Sequence, residues 1–156
     1  MVIADNSEEQ VSPLVMKQHF DDLFDAGQYV EAIIVIDELI AQYPNDALAY
    51  TNRGLAKGML GRYEEAIIDF SKVIELRPPA NLHPLENVLI IAHYNRGVSH
   101  ARLGRIDAAH ADFAVGLQLA REERDTDWIT MLEDAMNFDW PSMGNPTPTP
   151  PPPPAR

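Results

Sequence analysis

Histidine is the most chemically versatile residue type in this chain, and its spacing decides whether it can form a site. The chain has five histidines, His19, His83, His93, His100 and His110. His93 and His100 lie seven residues apart, which places them on one face of a helix. A metal site needs three or four converging ligands with a second shell, and the positions 43 residues earlier hold Tyr50 and Lys57. We therefore interpret the histidines as partly buried structural residues and expect neither a metal nor a cofactor.

Catalytic motifs do not accompany the histidines. The sequence contains no phosphate-binding glycine loop, no nucleophile elbow and no HExxH motif. It has no cysteine, which excludes disulfides and thiolate sites and fits a reducing, cytoplasmic location. The start MVIADNSEEQ lacks both the basic residues and the apolar run of a signal peptide or a membrane span. The sequence therefore predicts a cytoplasmic protein that is not an enzyme.

The charge distribution argues against nucleic acid as a partner. The net charge is −12, with −9 on residues 1–46, +2 on residues 47–121 and −5 on residues 122–156. Nucleic-acid binding needs a dense basic face that releases counterions from the phosphates. No such cluster occurs in the sequence, and the acidic residues are those of a solvated surface.

Two asparagines occupy equivalent positions, because Asn52 and Asn95 each precede an Arg-Gly dipeptide. A side-chain amide accepts from a peptide N–H and donates to a peptide C=O. Asparagines repeated along one surface therefore suit the binding of an extended backbone regardless of its sequence. The alternative is that Asn-Arg-Gly recurs for local reasons, with each amide capping its own helix or bound to water.

A helix-turn-helix pattern positions these residues, and residues 46–78 are its clearest copy. Asp46 is a favourable helix N-cap, and the apolar residues after it recur at spacings of three, four and seven until Gly61. A second amphipathic helix follows from Tyr63. Pro78 ends it because proline cannot continue the hydrogen-bond ladder.

This unit resembles a tetratricopeptide repeat. The residues that match the family pattern are Tyr50, Arg53, Gly54, Gly61, Tyr63, Ala66, Phe70 and Pro78. Gly27 precedes Gly61 by 34 residues, which is the period of that family. The resemblance implies an all-α fold, an α-solenoid of three helix-turn-helix units with a C-terminal capping helix.

The domain organisation follows from this pattern. We predict a disordered N-terminus over 1–11, a repeat domain over 12–138, and a disordered proline-rich tail over 139–156, which holds eight of the thirteen prolines. The predicted repeats span about 13–46, 47–80 and 84–123, with the capping helix at 125–137. Gly61 to Gly104 is 43 residues, nine over the period, so we predict a lengthened helix from Pro84 to Leu103 that projects about two turns beyond its neighbours.

The resemblance also implies a binding surface. In this family the first helix of each unit lines a concave groove that holds an extended peptide or a partner helix. Transferred to this sequence, the candidate groove consists of Lys17, Gln18, Leu48, Asn52, Leu55, Met59, Ile91, Tyr94, Asn95, Val98 and Arg102. The prediction is therefore an adaptor or scaffold whose partner is another protein or peptide.

Three alternatives remain open at the level of sequence. The first is a self-assembling structural protein, a homo-oligomer joined through Leu85, Val88, Leu89 and Ile90 or through Trp128 and Trp140. The second is a small secretion-type chaperone, which the chain resembles in size and acidity. The third concerns the proline-rich tail, which suits a proline-binding module or the protein's own groove.

Overall fold

The structure, a computed structural model, describes residues 12–77 and 87–140, and the regular elements in these ranges are seven α-helices with no strand. This confirms the all-α prediction. The helices are α1 Pro13–Asp25, α2 Tyr29–Gln42, α3 Ala47–Met59, α4 Tyr63–Leu76, α5 Val88–Arg102, α6 Ile106–Glu123 and α7 Thr126–Asn137. The predicted disordered segment 1–11 and the tail from residue 141 onward lie outside the described residues.

Local sequence accounts for most of the helix ends. The Asp46 carboxylate accepts hydrogen bonds from the first backbone N–H groups of α3, and Asp125 caps α7 in the same way. Between paired helices, Gly27, Gly61 and Gly104 adopt φ of 73°, 73° and 74°. Glycine enters this left-handed region without a steric penalty. The same tight turn therefore closes each of the three helix pairs.

The third unit differs from the prediction at its start. Helix α5 begins at Val88, with Asn87 at the N-cap. The expected helix start at Pro84 is therefore wrong, although residues 78–86 themselves lie outside the described residues. Helix α5 has 15 residues and is only two residues longer than α3. Its first turn is part of the core, because Val88 and Ile90 are buried.

The helices pack in sequence order as a repeat array, each against the next along the chain. The first helices of successive units also touch, α3 with α5 and α5 with α7, whereas in the described residues the second helices make at most marginal contacts with one another. The first helices α3 and α5 therefore lie side by side, next to the capping helix α7.

A close glycine–phenylalanine contact forms the centre of the second and third units. A Cβ atom on Gly54 would lie 2.8 Å from the Phe70 ring, and one on Gly97 would lie 2.5 Å from the Phe113 ring. Gly54 lies in α3 and Gly97 in α5, the first helices of their units. In the first unit Phe20 stands at the equivalent position and is itself buried.

Candidate functional site

The second unit contains a buried cluster of charges that sequence analysis missed. Asp69 of α4, only 1% exposed, accepts from Arg53 Nε at 3.0 Å and Nη2 at 2.6 Å and from Lys57 Nζ at 2.7 Å. Arg53 Nη1 also donates to Asp37 of α2 at 2.6 Å, which joins the first unit to the second. Burial by itself would lower the pKa of Arg53, but the hydrogen bonds to the two carboxylates outweigh it and raise that pKa.

The third unit repeats the arrangement around Asp112 of α6. Arg96 donates to both carboxylate oxygens at 2.8 and 2.7 Å, and His93 Nδ1 lies 3.0 Å from Oδ1. Arg96 Nη1 also donates to Ser71 Oγ of α4 at 3.0 Å, again reaching the preceding unit. Burial opposes ionisation of Asp112, but the hydrogen bonds from His93 and Arg96 outweigh it and hold the pKa of this carboxyl below its ordinary value.

These clusters connect helices within a unit and between neighbouring units. A sequence signal for them exists, because Arg53 precedes Asp69 by 16 residues and Arg96 precedes Asp112 by 16 residues. In the second unit Arg53 directly precedes Gly54, and Asp69 directly precedes Phe70, its partner in the central contact. The third unit repeats this order with Arg96 before Gly97 and Asp112 before Phe113. The repeated spacing thus links a charge pair to the packing pair beside it.

The histidines do not converge on a site. His93 is bound to Asp112, as described, while His100 Nδ1 is buried with no hydrogen-bond partner among the described residues. Burial lowers the pKa of His100. In residues 12–77 and 87–140, no group of three or more His, Asp or Glu side chains is arranged to hold a metal ion.

The first-unit part of the candidate groove is occupied by local interactions. Lys17 of α1 forms an ion pair of 2.7 Å with Asp46, the residue that caps α3. Gln18 is exposed and its Nε2 donates to Asp22 Oδ1 at 3.1 Å. The charge of Lys17 is therefore already matched within the protein, which leaves the groove here without an unpaired cation for an acidic ligand.

The second- and third-unit parts of the candidate groove meet at a small cleft between α3 and α5. Its volume is about 20 Å³, too small to enclose a small-molecule ligand. The lining residues are Gly54, Leu55, Gly58, Tyr63, Phe70, Asn95, Val98, Ser99 and Arg102. Four of these, Leu55, Asn95, Val98 and Arg102, belong to the candidate groove, so the structure brings residues from two repeats together on one surface.

The two asparagines differ in their hydrogen bonding. Asn95 Nδ2 donates to the Ile91 carbonyl of its own helix at 2.9 Å. The side chain of Asn52 is half-buried and has no hydrogen-bond partner among the described residues. Leu48 and Leu55 lie four residues before and three residues after it, so the three side chains share one face of α3.

Tyr94 and Val98 lie deeper than a groove residue would. Both are 5% exposed. The Tyr94 ring packs edge-on against Trp128 of α7, with centroids 5.5 Å apart, and tilts against Phe113 at 6.0 Å. Burial raises the pKa of Tyr94 to about 12. The capping helix therefore covers most of Tyr94 and leaves it little surface for a ligand.

Arg102 is covered by a residue that the prediction assigned to the tail. Its guanidinium carbon lies 5.3 Å from the centroid of the Trp140 ring, a cation–π contact. Trp140 also stacks on Phe113, with centroids 6.1 Å apart, and its Nε1–H donates to the Ala135 carbonyl at 2.8 Å. The packed domain thus reaches at least to Trp140.

The comparisons with known proteins agree with this geometry. Residues 47–78, which contain α3 and α4, match the family model of the tetratricopeptide repeat. The central unit is therefore similar to a tetratricopeptide repeat. The seven sequentially packed helices are consistent with tetratricopeptide-like units on both sides of it. No curated protein matches the chain.

Tetratricopeptide repeats typically serve in binding or scaffold roles, so the match over residues 47–78 supports a protein–protein interaction module in general. None of the helices in the two described ranges has the length and apolar character needed to cross a membrane.

Proposed function

We propose that this protein binds an extended or helical segment of another protein in the candidate groove, as an adaptor or scaffold. The observation that supports this most directly is the Asn52 amide. It lies half-buried between Leu48 and Leu55 and has no partner among the described residues. A polar group in an apolar setting gains from a hydrogen bond supplied by a ligand. A peptide backbone supplies both the donor and the acceptor that an amide needs.

Apolar side chains accompany the amides on the proposed surface. Leu48, Leu55 and Met59 of α3 are half-buried, as is Ile91 of α5. The three residues of α3 recur at spacings of seven and four, which puts them in one apolar stripe along that helix. Asn95 contributes its remaining amide N–H and its carbonyl oxygen, since only one amide hydrogen is used by the Ile91 carbonyl. Apolar side chains of the ligand would bury against the stripe while its backbone bonds to the two amides.

Affinity capture with chemical crosslinking from a lysate of the source cells tests this function. The variant is Asn52→Ala combined with Asn95→Ala, which keeps the helices because alanine favours them. We expect capture of the partner to fall about tenfold or more, since each ligand hydrogen bond contributes about 1 kcal/mol. Ile68→Ala is the matched control, because Ile68 is an exposed side chain of α4 outside the candidate groove, and this variant should retain full capture.

Circular dichroism melting should show equal stability for the double variant and the control. Capture of the same proteins in the same amounts by all three chains would contradict binding in the groove. In that event the exposed faces of the second helices become the surface to test.

Self-assembly receives less support from the structure. Val88 and Ile90, proposed above as part of a mating surface, are buried within the third unit, and Trp128 of α7 is 6% exposed. Leu85 lies outside the described residues. These side chains contribute to the fold of one chain, and they offer little area to a second copy.

A further inference from the structure

The chain leaves the described structure at a fixed point beside the groove. Trp140 is held on three sides, by the ring of Phe113, by the guanidinium of Arg102 and by the carbonyl of Ala135. Phe138 packs edge-on against it with centroids 4.8 Å apart. The last described residue therefore lies beside the C-terminal end of α5.

Arg102 connects this exit point to the groove. Its side chain lies against Trp140 and also lines the cleft between α3 and α5. A segment that continues from Trp140 toward the N-terminal units would pass over this cleft and then over Leu55 and Asn52 of α3.

We propose that the proline-rich segment 141–156 binds in the candidate groove of its own chain and competes there with the partner. The proposal rests on the groove assigned under the proposed function. The segment contains eight prolines, which have no backbone N–H, so its main chain presents mostly carbonyl acceptors and apolar rings. The amide N–H groups of Asn52 and Asn95 and the stripe around them complement that chemistry.

Length and charge agree with this placement. Sixteen residues of polyproline geometry reach about 50 Å, whereas packed helices lie about 8–10 Å apart. The segment is therefore long enough to pass α5 and α3 and to reach α1. It has no acidic residue and one arginine, Arg156, while residues 1–46 carry −9. Tethering also gives it an effective concentration in the millimolar range, so a weak contact is enough to occupy the groove.

The absence of cysteine from the sequence allows a direct test in the full chain. Thr149→Cys introduces one thiol, which is labelled with a nitroxide in protein enriched with nitrogen-15. We expect the amide signals of Asn52, Leu55 and Asn95 to lose at least about half of their intensity through paramagnetic relaxation. The amides of Ile34 and Ile68, on exposed faces of α2 and α4, should keep theirs.

A second variant separates specific binding from mere proximity of the tether. Adding Asn52→Ala and Leu55→Ala to the labelled chain should restore the signals of α3, whereas signals around Trp140 should stay as they were. A sample that mixes enriched chains without label and labelled chains without enrichment should show no broadening.

Three results would overturn the proposal. The first is a loss of signal intensity that is confined to residues near Trp140. The second is a loss of signal intensity on the exposed faces of α2 and α4. The third is a loss of signal intensity in the mixed sample, which would mean that the segment binds another copy of the chain. Because this measurement uses no partner, its failure leaves the capture experiment intact. Conversely, if the capture experiment fails to show binding of a partner in the groove, the contact between the tail and the groove can still be measured by paramagnetic relaxation.

Discussion

A glycine and a phenylalanine set the distance between the helices of a unit. Gly97 lets α5 approach α6 until the Phe113 ring occupies the space of the missing side chain. Gly58 is also helical, yet a Cβ atom there would meet nothing within 4 Å. These two glycines in first helices therefore have opposite physical roles. Gly97 is required by its contact with Phe113, whereas Gly58 costs backbone entropy and allows no closer packing.

Gly97→Ala should destabilise the protein by about 1–3 kcal/mol, because the new methyl group must displace the Phe113 ring from a filled core. Gly58→Ala is the matched control and should stabilise it by about 0.5–1 kcal/mol. Urea unfolding of the two variants and the wild type measures both changes in the free energy of unfolding. Equal stability of the two variants would contradict the glycine–phenylalanine contact.

Charged side chains link the helices at the level of elements. Asp112 receives Arg96 and His93 from α5, and Arg96 continues to Ser71 of α4. Three helices from two units are thus joined at one carboxylate that is 5% exposed. A buried ion pair costs desolvation and does not by itself prove stability, but the loss of one partner leaves the other charge unpaired.

Asp112→Asn should therefore lower the free energy of unfolding at neutral pH by about 3 kcal/mol. In the wild type, the pKa of Asp112 in the folded state lies below the ordinary value of 3.8. The ionised carboxylate therefore stabilises the fold above pH 3.8, and this stabilisation is lost as the pH falls further toward the folded-state pKa. Urea unfolding from pH 7 to pH 3 should show the wild type approaching the variant at the acid end.

Glu75→Gln is the control for this comparison, because Glu75 forms only an exposed ion pair with Lys72. We expect it to change stability by less than about 1 kcal/mol at neutral pH. A constant difference between wild type and Asp112→Asn across the whole pH range would contradict the ionised buried cluster.

The C-terminal cap completes the molecule as a whole. An array of this kind leaves an apolar face at its last unit, which a capping element must cover. Helix α7 covers it with Trp128 and Leu132, which are 6% and 0% exposed. Trp140 extends the cover past the end of the helix onto Phe113.

Ending the chain after Asp125 should remove this cover and lower the stability by about 3 kcal/mol or more, given about 1.5–3 kcal/mol for each large apolar side chain buried. The exposed face should also associate, so light scattering should rise with protein concentration. A chain that ends after Trp140 is the control and should melt as the full chain does. Indistinguishable melting of the two truncations would contradict the capping role.

Much of the fold could be predicted from sequence, because its determinants are local. Apolar residues at helical spacing, the Asp46 cap and the turn at Gly61 act within one or two turns of chain. The third unit was harder to place. The nine additional residues before Gly104 have no single local signal, and packing of Val88 and Ile90 into the core decides where α5 begins.

The sequence by itself determined the helix pairs, the turns between them and the resemblance to a tetratricopeptide repeat, since these depend on residues close together in the chain. Only the tertiary structure decided which candidate groove residues keep an accessible surface. The cap buries Tyr94 under Trp128, and Trp140 covers Arg102, contacts between residues about 34 and 38 positions apart. Asn95 and Asn52 look identical in sequence, yet only the folded chain shows that one amide donates to Ile91 while the other has no partner in the described part of the chain. Burial and hydrogen bonding depend on what packs across the element, and sequence spacing alone does not specify it.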